Sequence, residues 1–238
     1  MGLETLERLR AARNYNRWVY SLCRPHLGRR ILELGSGLGS MTAFFLAHGE
    51  VLATDVEDAR LVSLAAQQGN PRNLRTFRWD ATQDPPAGVR SFRPDTVVAV
   101  NLLEHLPEDA RVLARMVRLT APGGRIILYV PALPGIYGSL DRELGHVRRY
   151  RQRDLLDLAR ASGLAIERLH YVNAAGTLGW WLNSRVLRRR HFSPRQIRLN
   201  DFVVPLLARA EAWLRPPFGM SLFFAGRLPG GETRGSRP

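Results

Sequence analysis

Short apolar segments alternate with amphipathic ones along the first 130 residues. Apolar runs with glycine or a polar residue at their ends predict buried strands at 30–34, 51–55, 74–79, 96–101 and 125–130. Apolar residues at helical spacing predict helices at 3–22, 41–48, 58–68 and 108–119. Strands that alternate with helices in this way indicate βαβ units and a parallel sheet.

The pattern changes after Pro131. Residues 132–150 contain glycine, proline, charged and aromatic residues without a clear period. The remaining chain predicts helices at 151–162 and at 174–214, the latter broken near Ser193-Pro194, and strands at 165–171 and 220–226. The tail at 229–238 is small and polar, which predicts disorder.

Length and composition fit one globular domain. The chain has 238 residues, of which 45% are hydrophobic. There is no uncharged apolar run of about 18 residues, so we expect no transmembrane helix. Met1 to Arg13 mixes Glu and Arg without an apolar stretch, so we expect no signal peptide and a cytoplasmic location. Cys23 is the only cysteine and is expected in the core.

The formal net charge of +14 raises the question of nucleic acid. All 35 basic residues are arginine, and the absence of lysine points to base composition rather than to selection for phosphate contacts. Most arginines are scattered, but Arg185 to Arg198 holds six of them and His191 with no acid. We therefore expect no specific nucleic-acid partner.

The glycine-rich turn after the first strand is the strongest chemical signal. Gly35, Gly37 and Gly39 permit positive φ and close approach of a ligand to the backbone. A dinucleotide site would need a sixth-place glycine, where Ser40 stands. Glu33 precedes the turn, where a carboxylate would repel a pyrophosphate but can hold the ammonium of S-adenosylmethionine.

Polar residues follow the next three strands in order. Asp55 stands 20 residues after Gly35, where a carboxylate can accept both ribose hydroxyls. Asp80 can accept from an adenine amino group while the Ala81 amide meets the ring. The backbone after the fourth strand, from Asn101, can pass the methionyl part of the ligand. Ligands of open α/β sheets lie across such strand ends.

Residues 14–131 resemble the class I S-adenosylmethionine-dependent methyltransferases. The resemblance implies an α/β, Rossmann-like, doubly wound sheet of seven strands with order 3-2-1-4-5-7-6, an antiparallel last strand at Phe218–Phe224 and a helical cap. Residues 138–150 and 216–222 also resemble a bacterial methyltransferase-like branch without an assigned substrate. The implied cofactor is S-adenosylmethionine, with contacts from Tyr15, Glu33, Gly35, Ser36, Gly37, Gly39, Asp55, Val56, Asp80, Ala81, Asn101 and Leu102.

In this superfamily a helix before the first strand often covers the cofactor. Tyr15, with Tyr20 second, is therefore expected to reach the methionyl carboxylate, although aromatic core packing is an equal alternative. We predict one domain over 1–228 in which 1–27 is a lid helix, and in which 132–150 and 172–215 are acceptor-side and cap insertions.

The superfamily builds its acceptor site between the fifth strand and the next helix. His146 and Arg149 there, with Tyr150 and the more distant His105, are the candidate catalytic residues, since they suit a base and an anion clamp. The structural alternative is a loop held by ion pairs to Asp141 and Glu143. No cluster of carboxylates is evident, so we predict no metal.

Trp180 and Trp181 precede the arginine block. They suit either a cap over an apolar acceptor pocket or a peripheral membrane contact through 178–191. The predicted function is O-methylation of a small or lipid-like acceptor that can be anionic. The alternatives are an RNA methyltransferase, a non-catalytic cofactor-binding scaffold and an NAD-dependent enzyme; Ser40 and Glu33 oppose the last.

Overall fold

The computed structural model describes residues 11–189 and 193–230. Several predictions fall wholly or partly on other residues. The helix over 3–10, Arg190 and His191 of the arginine block, and the tail over 231–238 lie outside the described residues.

The strands of the described chain form one sheet. Its order is β3-β2-β1-β4-β5-β7-β6, with β7 antiparallel to both of its neighbours, as the sequence predicts. The strands are Arg30–Leu34 (β1), Glu50–Asp55 (β2), Leu74–Arg78 (β3), Thr96–Val100 (β4), Arg125–Pro131 (β5), Ala165–Val172 (β6) and Ser221–Arg227 (β7).

The helices lie on both faces of the sheet, and most of those that the sequence predicts begin and end close to the predicted positions within the described residues. They are Arg13–Cys23 (α1), Thr42–Leu46 (α2), Asp58–Gln67 (α3), Ala87–Arg90 (α4), Asp109–Leu119 (α5), Ser139–Leu144 (α6), Gln152–Ala161 (α7), Ala174–Trp181 (α8) and Pro194–Leu214 (α9). Among the described residues, no helix is both long enough and apolar enough to cross a bilayer.

Successive residues of a strand point to opposite faces of the sheet, and the protein therefore has one hydrophobic core on each face. Ile31 and Leu32 are both fully buried but point to opposite faces of the sheet. Leu32 packs with α5 and α7 through Leu113 and Leu155, whereas Ile31 packs with α1, where Cys23 is buried as predicted. Because both faces are covered, the central strands are almost wholly apolar, and this is why their sequence pattern is easy to recognise.

Two acidic residues of helix α9 hold the starts of helices α1 and α8. Asp201 accepts hydrogen bonds from the backbone amides of Asn14 and Tyr15 at the start of α1. Glu211 accepts from the amides of Asn173 and Ala174 at the start of α8. Carboxylates satisfy the unpaired amides at helix starts and favour the positive end of the helix dipole, so α9 orients both helices.

Six elements of the described chain are absent from the sequence prediction: helices α4 and α6, one π-helical turn and three 3₁₀ turns. Helices α4 and α6 are short, and α6 begins with a hydrogen bond from the Gly138 amide to the Asp141 side chain, 2.9 Å long. A π-helical turn, Leu182–Val186, continues α8 toward the predicted break before Pro194. Such short elements depend on individual side chains and carry little periodicity.

Candidate active site

The glycine turn has the backbone that the sequence predicts. Gly35, Gly37 and Gly39 have φ of 69°, 54° and 78°. A Cβ atom on Gly35 would lie 2.9 Å from Leu102 Cδ1, so the turn lies directly against the loop after β4. Ser36 Oγ is buried in the turn without a hydrogen-bond partner among the described residues, and it is therefore available to a ligand.

Glu33 lies at the end of β1 with its side chain buried. Its Oε2 accepts a hydrogen bond of 2.6 Å from Thr42 Oγ1 at the start of α2. Burial raises the pKa of Glu33 to about 8, and the Asp55 charge reinforces this against the opposing Thr42 hydrogen bond. A cationic ligand would stabilise the carboxylate, and a methionyl ammonium is such a ligand.

Asp55 at the end of β2 fixes the glycine turn. Its Oδ2 accepts from the Gly37 amide at 3.0 Å, and its Oδ1 accepts from the Glu57 amide and from Arg60 at 3.3 Å. These three donors use three of the four lone-pair sites of the carboxylate, so one ribose hydroxyl can still donate to Oδ2, whereas Oδ1 already accepts two hydrogen bonds. The predicted ribose contact therefore stays a prediction compatible with this geometry.

The remaining predicted cofactor residues line the next strand ends. Asp80 is exposed, and its Oδ1 accepts from the Thr82 amide and hydroxyl. Val56 is 48% exposed beside Asp55, as expected for an apolar contact to a ring. Asn101 has φ of 50° and turns the chain out of β4 ahead of Leu102. The structure brings these groups to one edge of the sheet.

Tyr15 lies over β5. Its hydroxyl is 2.9 Å from the hydroxyl of Tyr129, and its ring packs edge-on against Trp18. Burial raises the pKa of Tyr15, so the phenol is neutral. Its predicted contact with a methionyl carboxylate stays a prediction.

The residues present fit S-adenosylmethionine. A backbone cradle that side chains would fill, a buried serine hydroxyl without a partner and a buried carboxylate with a raised pKa lie together at Gly35, Ser36 and Glu33. This donor set would hold a polar, cationic ligand. An anionic pyrophosphate would instead meet the buried Asp55 carboxylate and could not stabilise an ionised Glu33.

Asp141 is the centre of a second buried cluster, in the segment where the sequence predicts the acceptor site. Its Oδ1 accepts from His146 Nδ1 at 3.0 Å and from Arg149 Nε at 2.7 Å. Its Oδ2 accepts from the Gly138 amide and from Trp180 Nε1 at 3.2 Å. Burial alone would raise the pKa of Asp141, but the His146 hydrogen bond and the Arg149 charge outweigh it and lower the pKa.

His146 is the predicted base, and the structure orients it. With Nδ1 bonded to Asp141, the ring turns Nε2 toward Glu104, whose Oε1 lies 3.8 Å away. This distance is too long for a hydrogen bond. His105 packs edge-on against His146 with ring centroids 4.9 Å apart, and its Nδ1 is 3.2 Å from the Gly145 carbonyl. Burial lowers the pKa of His105 to about 4.

Glu104 is a candidate site residue that sequence reasoning missed. It is fully buried, and neither carboxylate oxygen has a hydrogen-bond partner within the described chain. Burial raises its pKa to about 8 against the opposing effect of the Arg149 charge. The signal was an acid inside an apolar run, Leu102-Leu103-Glu104-His105-Leu106, directly after a strand.

Arg149 and Tyr150 are adjacent in sequence, but their side chains contact different residues. Arg149 is buried beneath the Trp180 ring, 4.7 Å from its centroid, and donates to the Ala132 carbonyl. Tyr150 instead donates to Asp109 at 2.8 Å on the other side of the loop. The structure therefore does not bring Tyr150 to His146. The structural alternative of ion pairs is realised for Asp141.

One group within the described part of the chain has the composition of a metal site. Glu104, His105 and His146 offer ligand atoms within 4.8 Å of one another. The absence of a metal stays a prediction from the sequence, and a chelator tests it.

Comparison with known proteins gives consistent similarities. A family model described as a methyltransferase domain matches residues 32–126, the segment that carries Glu33, the glycine turn, Asp55, Asp80 and Asn101. An uncharacterized methyltransferase of Bacillus licheniformis is 25% identical over 180 residues, 74% of this chain and 75% of that protein.

Two further similarities cover different shares of the chain. A ubiquinone biosynthesis O-methyltransferase of Psychrobacter cryohalolentis is 29% identical over 104 residues, 42% of this chain but only 40% of that protein. A solved S-adenosylmethionine-dependent methyltransferase from Mesorhizobium loti has the same fold with a TM-score of 0.60 at 18% identity, over 87% of this chain and 96% of that chain.

Proposed function

Because this chain belongs to the class I S-adenosylmethionine-dependent methyltransferases, we propose that it methylates a hydroxyl oxygen of a small or lipid-like acceptor that can carry a negative charge. The observation that carries the proposal is the Asp141–His146 pair. A carboxylate that holds one ring nitrogen fixes the tautomer of the other, and this is the arrangement of a general base.

The neighbouring carboxyl supports His146 as the base. With a pKa of about 8, Glu104 is mostly protonated at neutral pH and cannot take up a proton there. It can donate a hydrogen bond to the acceptor oxygen, while His146 Nε2 accepts the hydroxyl proton. Asp141 then stabilises the imidazolium ion that forms, as in other carboxylate–histidine pairs.

Methyl transfer needs little more from the protein. The cofactor supplies an already activated methyl group on a sulfonium, so the chain contributes positioning, shielding from water and the base. Arg149 lies against the same cluster and lowers the cost of negative charge near it. An acceptor that carries a carboxylate or phosphate gains from this charge.

The similarity to a protein named a ubiquinone biosynthesis O-methyltransferase supports transfer to oxygen. That relative matches only 42% of this chain. The acceptor assignment therefore rests mainly on the buried His146 cluster.

Methyl transfer to matched acceptors tests the proposal. The full chain is given S-adenosylmethionine with a labelled methyl group and three analogues: an aromatic hydroxy acid, its amino counterpart and its uncharged hydroxy ester. We expect label on the hydroxy acid, a higher KM for the ester and none on the amine. Label on the amine alone would overturn the assignment to oxygen.

A chelator arm separates a base from a metal in the same assay. If His146 is the base, excess chelator leaves turnover unchanged. Loss of turnover that added Zn²⁺ restores would instead assign Glu104, His105 and His146 as metal ligands. Either outcome is independent of which acceptor is used.

A further inference from the structure

Helix α9 has an outer face that nothing in the described chain covers. Leu199, Phe202, Leu206 and Trp213 are between 67% and 83% exposed. Their spacings of three, four and seven residues place them along one stripe of the helix. Single exposed apolar residues are ordinary, but a stripe along a 21-residue helix marks a binding surface.

The acidic and basic residues of α9 lie on different faces of the helix. The acidic residues of the helix, Asp201 and Glu211, both point inward to the amide groups that begin α1 and α8. At 3.6 residues per turn, Arg195 falls on the apolar stripe, and Arg198 and Arg209 fall along its edge, away from the inward-facing Asp201 and Val204. The outer face is therefore apolar and cationic.

We propose that the outer face of α9 docks on the surface of an anionic lipid bilayer. A helix with large apolar residues on one stripe and arginine beside them lies in the interface plane of a membrane. The apolar side chains enter the acyl boundary while the long arginine side chains reach phosphate groups. The helix does not span the bilayer, which agrees with its hydropathy.

Charge decides against a second copy of the chain on this face. Two copies that meet through the stripe would bring Arg195, Arg198 and Arg209 of each together, on a chain of net charge +14. Like charges across an interface oppose association, whereas an anionic lipid surface is complementary. The lipid surface is therefore the occupant that the structure favours.

The proposed lipid-binding surface on α9 differs from the membrane contact that the sequence predicts at 178–191. Trp180 in that segment turns inward to Asp141 and Arg149, so it is not offered to lipid. Docking through α9 would bring α1, and with it Tyr15, close to the membrane, because Asp201 holds the start of α1. The proposal rests on the surface of α9 alone and stands whatever acceptor is methylated.

Sedimentation with lipid vesicles tests the proposal on the full chain. The probes are phosphatidylcholine vesicles with and without about one third phosphatidylglycerol. We expect binding to the anionic vesicles that falls as salt rises, and much weaker binding to the neutral ones. Equal binding to both kinds of vesicle, or to neither, overturns the proposal.

Variants then assign the binding to the face. Phe202→Ser with Trp213→Ser should weaken partition roughly tenfold or more. Arg195→Gln, Arg198→Gln and Arg209→Gln together should weaken it still further, since each basic residue near an anionic surface contributes about fivefold. Partition that neither variant changes would also overturn the proposal.

Matched controls lie on the opposite face of the sheet or on another helix. Val62→Ser removes an exposed apolar side chain from α3, and Arg111→Gln, Arg118→Gln and Arg153→Gln remove exposed charges from α5 and α7. Both controls should bind vesicles like the parent chain. S-adenosylhomocysteine affinity that is unchanged in every variant shows that the fold is intact. A dimer in light scattering that Phe202→Ser and Trp213→Ser dissociate, without vesicle binding, would replace the lipid surface by a second copy.

Discussion

Replacement of Asp141 by alanine is expected to lower the free energy of unfolding by ~3–5 kcal/mol. The carboxylate is fully buried and holds His146, Arg149, Trp180 and the Gly138 amide together. Its loss leaves Arg149 as a buried charge without its carboxylate, and a buried unpaired charge is far more costly than a lost surface pair. Denaturant unfolding of parent and variant at neutral pH measures the difference.

The exposed Asp157 on α7 is the matched control for this substitution. Asp157→Ala should change the free energy of unfolding by no more than about 0.5 kcal/mol. Because the folded pKa of Asp141 is lowered, its contribution is present at neutral pH and is lost as the pH falls below the ordinary range of an aspartate. A variant as stable as the parent would mean that another carboxyl group balances the Arg149 charge. Glu104 is the other glutamate or aspartate of the described chain whose charge interacts with Arg149.

The largest catalytic effect is expected from His146. His146→Ala should slow turnover by roughly 10²-fold or more, because the acceptor hydroxyl loses its base. S-adenosylhomocysteine binding should be unchanged, since the glycine turn and Asp55 are separate from this cluster. Initial rates with saturating cofactor and calorimetry on the same preparation measure both quantities.

His105 provides the internal comparison for this experiment. It contacts the His146 ring, but its Nδ1 lies at the Gly145 carbonyl rather than at a carboxylate. His105→Ala should therefore reduce turnover by less than tenfold. If His105→Ala has the large effect on turnover and His146→Ala the small one, the base is His105. If neither variant loses turnover, the acceptor binds elsewhere on the chain.

The cofactor half of the molecule is predictable because its signals are local. Strands β1, β2, β4 and β5 are buried on both faces, so their sequences are short, continuous apolar runs. The last residue of a run, or the residue after it, is at the carboxyl end of a parallel strand, which places Gly35, Asp55 and Asn101 at one edge without any knowledge of side-chain packing.

The acceptor half is not predictable in the same way because its contacts join distant segments. Asp141 meets Trp180 across 39 residues, and Tyr150 meets Asp109 across 41. Sequence spacing places Tyr150 beside Arg149, yet the two side chains leave the loop in different directions. Glutamate is usually a surface residue, and only the fold shows that Glu104 is buried.

Calorimetric titration of the full chain with S-adenosylhomocysteine, and separately with NAD, tests the central claim most directly. We expect S-adenosylhomocysteine to bind and NAD to give no signal. Asp55→Ala should weaken binding roughly tenfold or more, at a cost of ~1–3 kcal/mol for the lost acceptor, and the exposed Asp58→Ala should not. Tight binding of NAD without binding of S-adenosylhomocysteine would contradict the account.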